Sequence, residues 1–364
     1  MKKILLILLL FCTLNADENA TKKSLSLIAV GDNLIHSKIL EAGYNEANKS
    51  YDFKELYTYI KDEIKKFDIK IINQETILVK DRKKVSGYPV FGSPLEVGAA
   101  IKEAGFNIIT HATNHALDKG EAGILDTSEF WSHYNDTMYV GISPDQNKSE
   151  MIKIFKKNGI SVAFLNYTYG LNGFKTPKGK KYLVDLLSDE EKIKSDIKFA
   201  KQNADFVVVL PHWGVEYSHK ISKAQKTKAN FLANSGADLI IGTHPHVIQP
   251  LEFIITDDNR SVPCFYSLGN FISNQEEPSR MLGAMASLQI EKEGNNTQIK
   301  NLNAVPLVTH IGTFSRDFSV HFLEHYPQIL ARTHRLKRTL GEKKMNPQKL
   351  KELWNSVFTE FKVE

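Results

Sequence analysis

Residues 236–246 read Gly-Ala-Asp-Leu-Ile-Ile-Gly-Thr-His-Pro-His. They follow a helical pattern over 222–235, which the first glycine of the stretch ends, and the apolar run up to Ile241 is typical of a buried strand. Two histidines with a proline between them come directly after that strand. This order of helix, buried strand and polar cluster indicates an α/β unit whose functional side chains lie at the carboxyl end of a strand.

The same order recurs along the chain. Further helices are predicted over 53–67, Pro94–Ala104 and 189–203, and buried strands over 24–32, Ile69–Ile72, Asn107–Thr110, Phe206–Leu210 and Asp238–Ile241. The strands run into five polar clusters: Gly31–His36, Asn73–Thr76, Asn114–Gly120, His212–Gly214 and Gly242–His246. Because ligands of open α/β sheets bind at the carboxyl ends of the strands, we expect these clusters to converge on one site in a layered α/β fold.

The clusters combine carboxylates, imidazoles and an amide oxygen. These are the ligands expected of Mn, Zn, Fe or Mg, and the absence of cysteine among them argues against a structural zinc cluster. A bridging carboxylate would hold two cations about 3.5–4 Å apart, where they polarise a substrate oxygen and lower the pKa of a bound water. A nearby histidine outside the metal shell could then protonate the leaving group.

Each cluster also has a plainer interpretation. Asp32 could form a turn or cap a helix, Glu75 could be a solvated loop charge, and His212 could be a histidine packed in the core. Two imidazoles one residue apart at a strand end are uncommon in a plain loop, so residues 242–246 favour a metal site. Five such clusters after strands make a shared site the better explanation.

The pattern changes after residue 257. Segments of β type are predicted at Val262–Leu268, Gly283–Glu291 and Thr297–Leu307, as a second sheet or half of a sandwich. The last segment, roughly 320–364, has a helical pattern and is locally basic. A solvated helix pair explains this charge, and a weak contact with an anionic surface is the alternative.

The first residues of the chain predict its compartment. Lys2 and Lys3 precede an apolar run from Ile4 to Leu14, and small and polar residues follow. This is the order of a secretory signal peptide, so we predict a leader over residues 1–16 that is cleaved after Ala16. The apolar run is shorter than a membrane span of about 20 residues, and an uncleaved anchor is the alternative. We therefore expect an exported protein, periplasmic or at the cell surface.

Charge and cysteine content narrow the function further. The formal net charge of +5 falls to +3 without the two lysines of the leader, and no run of four or more basic residues occurs, so nucleic acid is not an expected partner. After cleavage, Cys264 would be the only cysteine in the chain, which excludes an intramolecular disulfide. Its apolar neighbours predict a buried, inert thiol.

Six stretches of the chain match the motifs of one family, in that family's order. They are Ala29–Asp32, Ile72–Thr76, Thr113–Gly120, Leu210–Gly214, Gly242–Pro250 and Tyr266–Phe271. Together they resemble the CapA family, the bacterial capsule synthesis or poly-gamma-glutamate synthesis proteins. The resemblance implies a calcineurin-like metallophosphoesterase fold, with a two-sheet β-sandwich core flanked by helices, over residues 24–310. Residues 311–364 would then be a C-terminal helical extension.

The resemblance also implies a set of metal ligands. These are Asp32, Glu75, Asn114, His212, His244 and His246. Glu75 would bridge two divalent ions, with Asp32 and His246 on the first ion and the remaining three residues on the second.

Further roles follow from the same resemblance. His115, beside a proposed ligand, would be the general acid. Leu34 stands where phosphoesterases usually have a histidine, so His36 is an additional candidate ligand. The substrate pocket would be lined by Asn73, Trp213, Ser267 and Asn270. For the last two, a tight turn that requires Gly269 is an equal alternative.

Three functions stay open at this point. The first is a metal-dependent hydrolase that acts outside the cytoplasm on a phosphoester or on an amide of a cell-envelope polymer. The second is a non-catalytic accessory that binds an anionic polymer, such as poly-gamma-glutamate, during its synthesis or export. The third is a periplasmic phosphatase or nucleotidase. The resemblance suggests membrane-bound polymer synthesis machinery as a partner.

Overall fold

Residues 22–338 and 344–358 are described by the computed structural model of the protein. The leader predicted over residues 1–16 lies outside these residues. In the described part of the chain, no helix combines the length and the apolar character needed to span a membrane.

The chain alternates strands and helices, numbered here in chain order. The strands are β1 Lys23–Asn33, β2 Tyr44–Asn45, β3 Ser50–Tyr51, β4 Ile69–Gln74, β5 Leu78–Val79, β6 Ser93–Pro94, β7 Ile108–Thr110, β8 Met138–Val140, β9 Lys153–Lys157, β10 Ile160–Thr168, β11 Phe206–His212, β12 Leu239–Ile241, β13 Ile248–Ile255, β14 Ser261–Leu268, β15 Asn270–Ile272, β16 Leu282–Glu293, β17 Asn296–Ile311 and β18 Phe318–Phe322. The α-helices are α1 Ser37–Gly43, α2 Lys61–Ile64, α3 Leu95–Ala104, α4 Gly120–Ser132, α5 Gln146–Ser149, α6 Glu190–Asn203, α7 Lys223–Ser235, α8 Pro278–Met281, α9 Gln328–Thr333 and α10 Pro347–Val357. Short 3₁₀ turns lie at Lys54–Tyr57, Arg82–Lys84, Lys181–Leu183, Leu323–His325 and Arg335–Arg338.

Two large sheets organise these strands. The first has the order β18-β17-β16-β1-β4-β7-β8, with β15 added in parallel to β1, and the second has the order β13-β14-β12-β11-β10-β9. In the first sheet β1, β4, β7 and β8 are parallel, and in the second β10, β11, β12 and β14 are parallel. The carboxyl ends of the parallel strands therefore lie along one edge of each sheet.

The alternation of side chains along β11 shows how the layers pack. Phe206, Val208 and Leu210 belong to the core that lies between the two sheets, together with residues of β1, β4 and β16. Val207 and Val209 point the other way and pack with the apolar faces of α6 and α7. Because successive side chains of a strand point to opposite faces, β11 contributes to both apolar layers. The predicted α/β class, a two-sheet sandwich core flanked by helices, is confirmed.

Two predicted helices end where their sequence signals place them. Helix α3 ends at Gly105, whose φ of +105° is a left-handed conformation that favours glycine. Helix α7 starts with a capping box, in which Ser222 and Gln225 exchange side-chain and backbone hydrogen bonds, and it ends at Gly236 with φ +121°.

The helix predicted over 53–67 is broken. The structure has a 3₁₀ turn at Lys54–Tyr57 and one short helix, α2, because Ile60 has a φ of −126°, outside the helical range. Its apolar residues, including Leu56 and Ile64, are nevertheless buried against the core as their spacing predicts.

The β segments predicted downstream do not form one sheet. Strand β14 joins the second sheet, whereas β16 and β17 join the first. The chain crosses between the sheets at Gly269, where the backbone passes so close to Gly31 that a side chain on Gly31 would lie 1.8 Å from the Gly269 carbonyl oxygen. Cys264 on β14 is a buried free thiol, as predicted.

The C-terminal segment is not wholly helical. Residues 318–322 form β18, an antiparallel neighbour of β17, and the boundary expected at residue 310 falls inside β17. The strand forms because Phe318 and Val320 alternate with Ser319 and His321, so that the two apolar side chains enter the core. The helices of this segment, α9 and α10, come after it.

Candidate metal centre

Strand ends of both sheets meet at one buried cluster. Asp32 lies at the end of β1, Glu75 directly follows β4, and His212 ends β11. His244 and His246 lie between β12 and β13. Residues far apart in the chain therefore come together because the parallel strands of the two sheets end on the same side of the sandwich.

One group of ligand atoms is formed by Asp32, Glu75 and His246, all within 4.8 Å of one another. Nδ1 of His246 lies 3.1 Å from Oδ2 of Asp32, and its Nε2 lies 3.7 Å from Oε1 of Glu75. Nδ1 therefore faces the aspartate and Nε2 faces Glu75, and Nε2 is the nitrogen that would bind a cation after it loses its proton.

A second group shares Glu75 and adds His212 and His244, again within 4.8 Å. Nε2 of His212 lies 3.7 Å from Oε1 of Glu75 and 2.9 Å from Oδ1 of Asn114. On the other side of the ring, Nδ1 of His212 lies 3.0 Å from the Thr243 hydroxyl. The ring is thus oriented with one nitrogen toward the shared carboxylate and the amide oxygen.

Glu75 lies at the centre of the cluster, and its carboxylate is within ion-pair distance of His212 and His246 but forms no hydrogen bonds with the described residues. It is 1% exposed, and neither carboxylate oxygen has a hydrogen-bond partner among the described residues. A buried carboxylate without hydrogen bonds is strongly unfavourable unless a cation neutralises it. Nδ1 of His244 is also buried and has no hydrogen-bond partner in the described part of the chain. Orphaned oxygen and nitrogen atoms, shared between two groups, fit divalent cations.

The protonation of the cluster reflects this excess of negative charge. Burial raises the pKa of Glu75 well above its usual value, and the neighbouring Asp32 adds to the effect. Burial alone would lower the pKa of His246, but the carboxylates of Glu75 and Asp32 outweigh it and raise that pKa to about 9. Without a cation, protons bound by Glu75 and His246 therefore compensate the negative charge of the two carboxylates. A metal ion bound there would replace those protons.

The other two histidines are neutral. Burial lowers the pKa of His212 well below 6.5, and the neighbouring His244 and His246 add to this. Burial and His246 likewise lower the pKa of His244. Neutral imidazoles keep a lone pair available for a metal ion.

The segment that carries His244 and His246 has an unusual backbone. Their φ values are +101° and +58°, although neither is glycine. The backbone N–H of His244 lies 3.3 and 3.2 Å from the two carboxylate oxygens of Asp32, which holds this conformation in place. Strained backbone of this kind concentrates at functional sites.

His115 lies beside the cluster and outside all three groups of candidate ligands found among the described residues. Its Nδ1 donates to Oδ2 of Asp118 at 2.7 Å, and the same oxygen accepts the Phe91 backbone N–H at 2.6 Å. The edge of the Phe91 ring packs on the imidazole with centroids 4.7 Å apart. A histidine oriented by a buried aspartate through Nδ1 presents its Nε2 for proton transfer.

Two of the residues predicted to line the pocket orient ligands instead. The amide of Asn73 donates to Oδ1 of Asp32 at 2.8 Å, and Oδ1 of Asn270 lies 3.1 Å from Nδ1 of His246. Both residues are 1% exposed, so they support the ligands from behind.

The other two residues predicted to line the pocket point away from the ligand groups. Trp213 comes directly after the last residue of β11 and points to the opposite face from His212. Its indole donates to the Tyr266 carbonyl at 2.9 Å within the core under α6 and α7. Ser267 is fully buried and holds the turn at Gly269, since its hydroxyl donates to the Val247 carbonyl and accepts the Gly269 N–H.

His36 is not brought into the ligand groups. Its Nδ1 lies 3.1 Å from the Leu34 carbonyl and 3.2 Å from the Asn274 backbone N–H. Burial lowers its pKa to about 4, and the neighbouring His246 contributes. The imidazole is therefore neutral and packs edge-on against Phe91.

Sequence reasoning missed Glu216. Its carboxylate forms a third candidate group with His244 and His246, and unlike the other acids of the site it is exposed to solvent. A carboxylate four residues after His212, in the same loop beyond β11, was the available signal. Tyr169 and Tyr217 flank the opening, with ring centroids 4.6 Å from that of His244 and 5.9 Å from that of His246, respectively.

The sequence is similar to a family of bacterial proteins and to two of its relatives in Bacillus. Residues 26–275 match the family model described as Bacterial capsule synthesis protein PGA_cap. The chain is 35% identical to PGA biosynthesis protein CapA of Bacillus subtilis over 53% of its own length and 50% of that relative. It is 32% identical to Capsule biosynthesis protein CapA of Bacillus anthracis over 78% of its length and 67% of that relative.

A solved structure is also similar. The calcineurin-like phosphoesterase YfkN of Bacillus subtilis aligns with 79% of this chain and 91% of its own, at 15% identity and a TM-score of 0.45. Likeness at this level says nothing about a substrate.

Proposed function

The chain belongs to the family of bacterial capsule synthesis proteins, and from this premise we propose that it is an exported hydrolase that uses two divalent metal ions. Its substrate would be a phosphoester or an amide bond of a cell-envelope polymer. Relatives in Bacillus carry names that refer to capsule and PGA biosynthesis, so an anionic capsular polymer of the poly-gamma-glutamate type is the substrate class we favour.

The observation that carries the proposal is Glu75. A fully buried carboxylate with two unpartnered oxygens, shared by two groups of histidine and carboxylate ligands, matches what a bridging metal ligand requires. A residue with a purely structural role at this depth would be hydrogen-bonded.

The proposal assigns a chemical role to each side chain of the centre. Asp32, Glu75 and His246 would hold one cation, and Glu75, Asn114, His212 and His244 the other. Divalent cations held there would polarise the scissile bond and lower the pKa of water. The ring of His115, fixed by Asp118, would donate a proton to the leaving group. Glu216 and the two tyrosines at the opening would contact the substrate.

A second candidate is favoured by a different observation. Leu34 stands in place of a histidine that phosphoesterases usually have, and His36 lies outside the ligand groups of the described residues. A centre with one ligand fewer would suit an accessory that binds an anionic polymer through its cations without turnover. Membrane-bound synthesis machinery would be the partner in both cases.

The test combines metal analysis with turnover. The mature protein is purified, its metal content is measured by mass spectrometry, and p-nitrophenyl phosphate, bis-p-nitrophenyl phosphate and γ-glutamyl oligomers are screened as substrates. We expect about two ions per chain. His115→Ala should lower turnover by at least about 100-fold and leave the metal content unchanged.

His133→Ala is the matched control, because His133 is an exposed histidine just after α4. Turnover that persists in His115→Ala would remove the assigned acid. Metal and polymer binding without turnover in the wild type would favour the accessory. A protein that binds no metal would contradict both.

A further inference from the structure

A loop outside the predicted clusters lies directly on the metal centre. Residues 169–174 follow β10, and the backbone N–H of Tyr169 donates to the carbonyl of His212 at 2.9 Å. Leu171 packs with Ala112 and Ala116 from the segment that carries the proposed acid. The loop is thereby anchored to both sheets beside the site.

One side chain of this loop, Asn172, contacts two functional residues at once. Its Oδ1 accepts a hydrogen bond from Nδ2 of Asn114 at 3.2 Å. Because the amide nitrogen of Asn114 is engaged in this way, its Oδ1 points to the opposite side, where it lies 2.9 Å from Nε2 of His212. The hydrogen bond thus selects the orientation in which the Asn114 oxygen faces His212 and would be available to a cation.

The other half of the Asn172 amide lies over the proposed acid. Its Nδ2 is 3.4 Å from both ring nitrogens of His115. A position in the plane of the ring at equal distance from both nitrogens would collide with the carbon between them, so the amide lies over the face of the ring. The Phe91 ring packs edge-on against the same imidazole. The imidazole is therefore confined by Phe91, Asn172 and its bond to Asp118.

We propose that Asn172 is a positioning residue that couples the metal ligand Asn114 to the general acid His115. The proposal rests on the function assigned above, since it takes both roles from there. It predicts that loss of this one amide disturbs metal affinity and proton donation together, although Asn172 touches neither the metal ions nor the reacting atoms.

The residue type fits the task. Asn172 has φ +49°, a left-handed conformation that asparagine and glycine tolerate best. Only a neutral amide offers an acceptor to Asn114 and a polarised N–H to the face of the His115 ring within one short side chain. Aspartate would keep the acceptor and lose the donor, and glycine would remove both while the backbone stays unstrained.

These differences define the experiment. Asn172→Gly and Asn172→Asp are compared with the wild type in two measurements: Mn²⁺ affinity of the metal-free protein by calorimetry, and kcat and KM with p-nitrophenyl phosphate. Asn259→Gly is the control, because Asn259 has φ +62° in the exposed turn between β13 and β14, far along the chain from the site.

We expect Asn172→Gly to bind the weaker Mn²⁺ ion about 10-fold less tightly, as for other residues that orient metal ligands. Asn172→Asp should retain that affinity, and both variants should lose kcat with little change in KM. Unchanged affinity and kcat in Asn172→Gly would overturn the proposal. So would an equal loss in Asn259→Gly.

The calorimetric arm separates this proposal from the assigned function. If the wild type binds Mn²⁺ but hydrolyses nothing, the hydrolase assignment fails, and the positioning of Asn114 is still decided by the affinity of Asn172→Gly. If Asn172→Gly alone loses affinity, the coupling to the ligand stands. If Asn172→Asp loses affinity equally, the orientation argument is wrong.

Discussion

At the scale of single residues, Glu75 and Asp32 show two ways of burying a carboxylate. Asp32 accepts hydrogen bonds from Asn73, His246 and the backbone of His244. Glu75, at a similar depth, accepts none from residues 22–338 and 344–358. Since both side chains are carboxyl groups in the interior, this difference makes Glu75 the residue that we expect to depend most on a cation.

Glu75→Gln tests this difference. The amide has the same shape without the charge, so we expect metal affinity to fall by more than about 100-fold, beyond the loss seen for residues that only orient ligands. The metal-free variant should be at least as stable as the metal-free wild type, because burial of the carboxylate costs more than its attraction to His246 returns. Metal content and thermal unfolding measure both effects.

Glu191→Gln is the control, since the Glu191 side chain is 92% exposed on α6. Undiminished metal content in Glu75→Gln would show that Glu75 is not a ligand.

At the scale of elements, the edge formed by β17 and β18 holds a second cluster of histidines. His310, His321 and His334 are each at most 5% exposed, and the ring of His310 lies 6.1 Å from that of His321 and 5.4 Å from that of His334. Nδ1 of His310 contacts the Tyr326 hydroxyl at 2.6 Å, and its Nε2 lies 3.7 Å from the carboxylate of Asp317. The cluster joins the C-terminal segment to the edge of the sheet.

Because of these histidines, we expect the folding of the C-terminal segment to be sensitive to acid. Burial lowers the pKa of His321 and of His334 to about 4 and also lowers the pKa of His310, where the carboxylate of Asp317 opposes the shift. A histidine whose pKa is depressed by folding stabilises the fold above pH 6.5 and loses that contribution as the pH falls toward 4. We expect hydrogen exchange to show that residues 318–336 open before the rest of the molecule over this range.

His334→Asn provides the comparison. Nδ1 of His334 accepts the Leu336 backbone N–H at 3.1 Å, and the Oδ1 of asparagine can replace that acceptor without titrating. The variant should stay protected to lower pH. Uniform opening of the whole chain in the wild type would contradict the assignment.

At the scale of the whole molecule, the candidate metal centre links the two sheets, so its charge influences the stability of the entire fold. Asp32 and Glu75 come from the first sheet, and His212, His244 and His246 come from the second. In the metal-free protein the contact between them is an ion pair between His246 and the two carboxylates.

This contact gives the metal-free protein a distinctive pH dependence. The pKa of His246 is raised from 6.5 to about 9, so its stabilising contribution is complete below pH 6.5 and is lost as the pH rises through 9. Deprotonation of Glu75, whose pKa is also raised, acts in the same direction. We expect a loss on the order of 2–3 kcal/mol between pH 6.5 and 9, since one pKa unit is about 1.4 kcal/mol.

Thermal unfolding with and without a chelator measures this. The loaded protein should show little change over the same range, and His246→Gln should flatten the metal-free curve. A metal-free wild type that becomes more stable as the pH rises would contradict the predicted charge state.

The order of elements and the identity of the clustered side chains were predictable from the sequence. Neighbouring residues carry the signals on which this prediction depends. These signals are apolar runs of strand length, the glycines Gly105 and Gly236 that end helices, and polar residues directly after strands. The family's motifs supplied roles for those residues, and these roles remain predictions that the geometry accommodates.

Tertiary structure decided which sheet each segment joins. It also decided to which face each side chain points. Periodicity does not distinguish β14 from β16, and the opposite directions of His212 and Trp213 depend on which face of the second sheet is covered by helices. The contacts of Glu216 and Asn172 with the site arise from loops that fold back over it. The sequence by itself therefore indicated most of the residues that could hold a metal ion. Only the packing of the two sheets determined which of them meet, and that Glu216 joins them, because distance in space is a property of the whole chain.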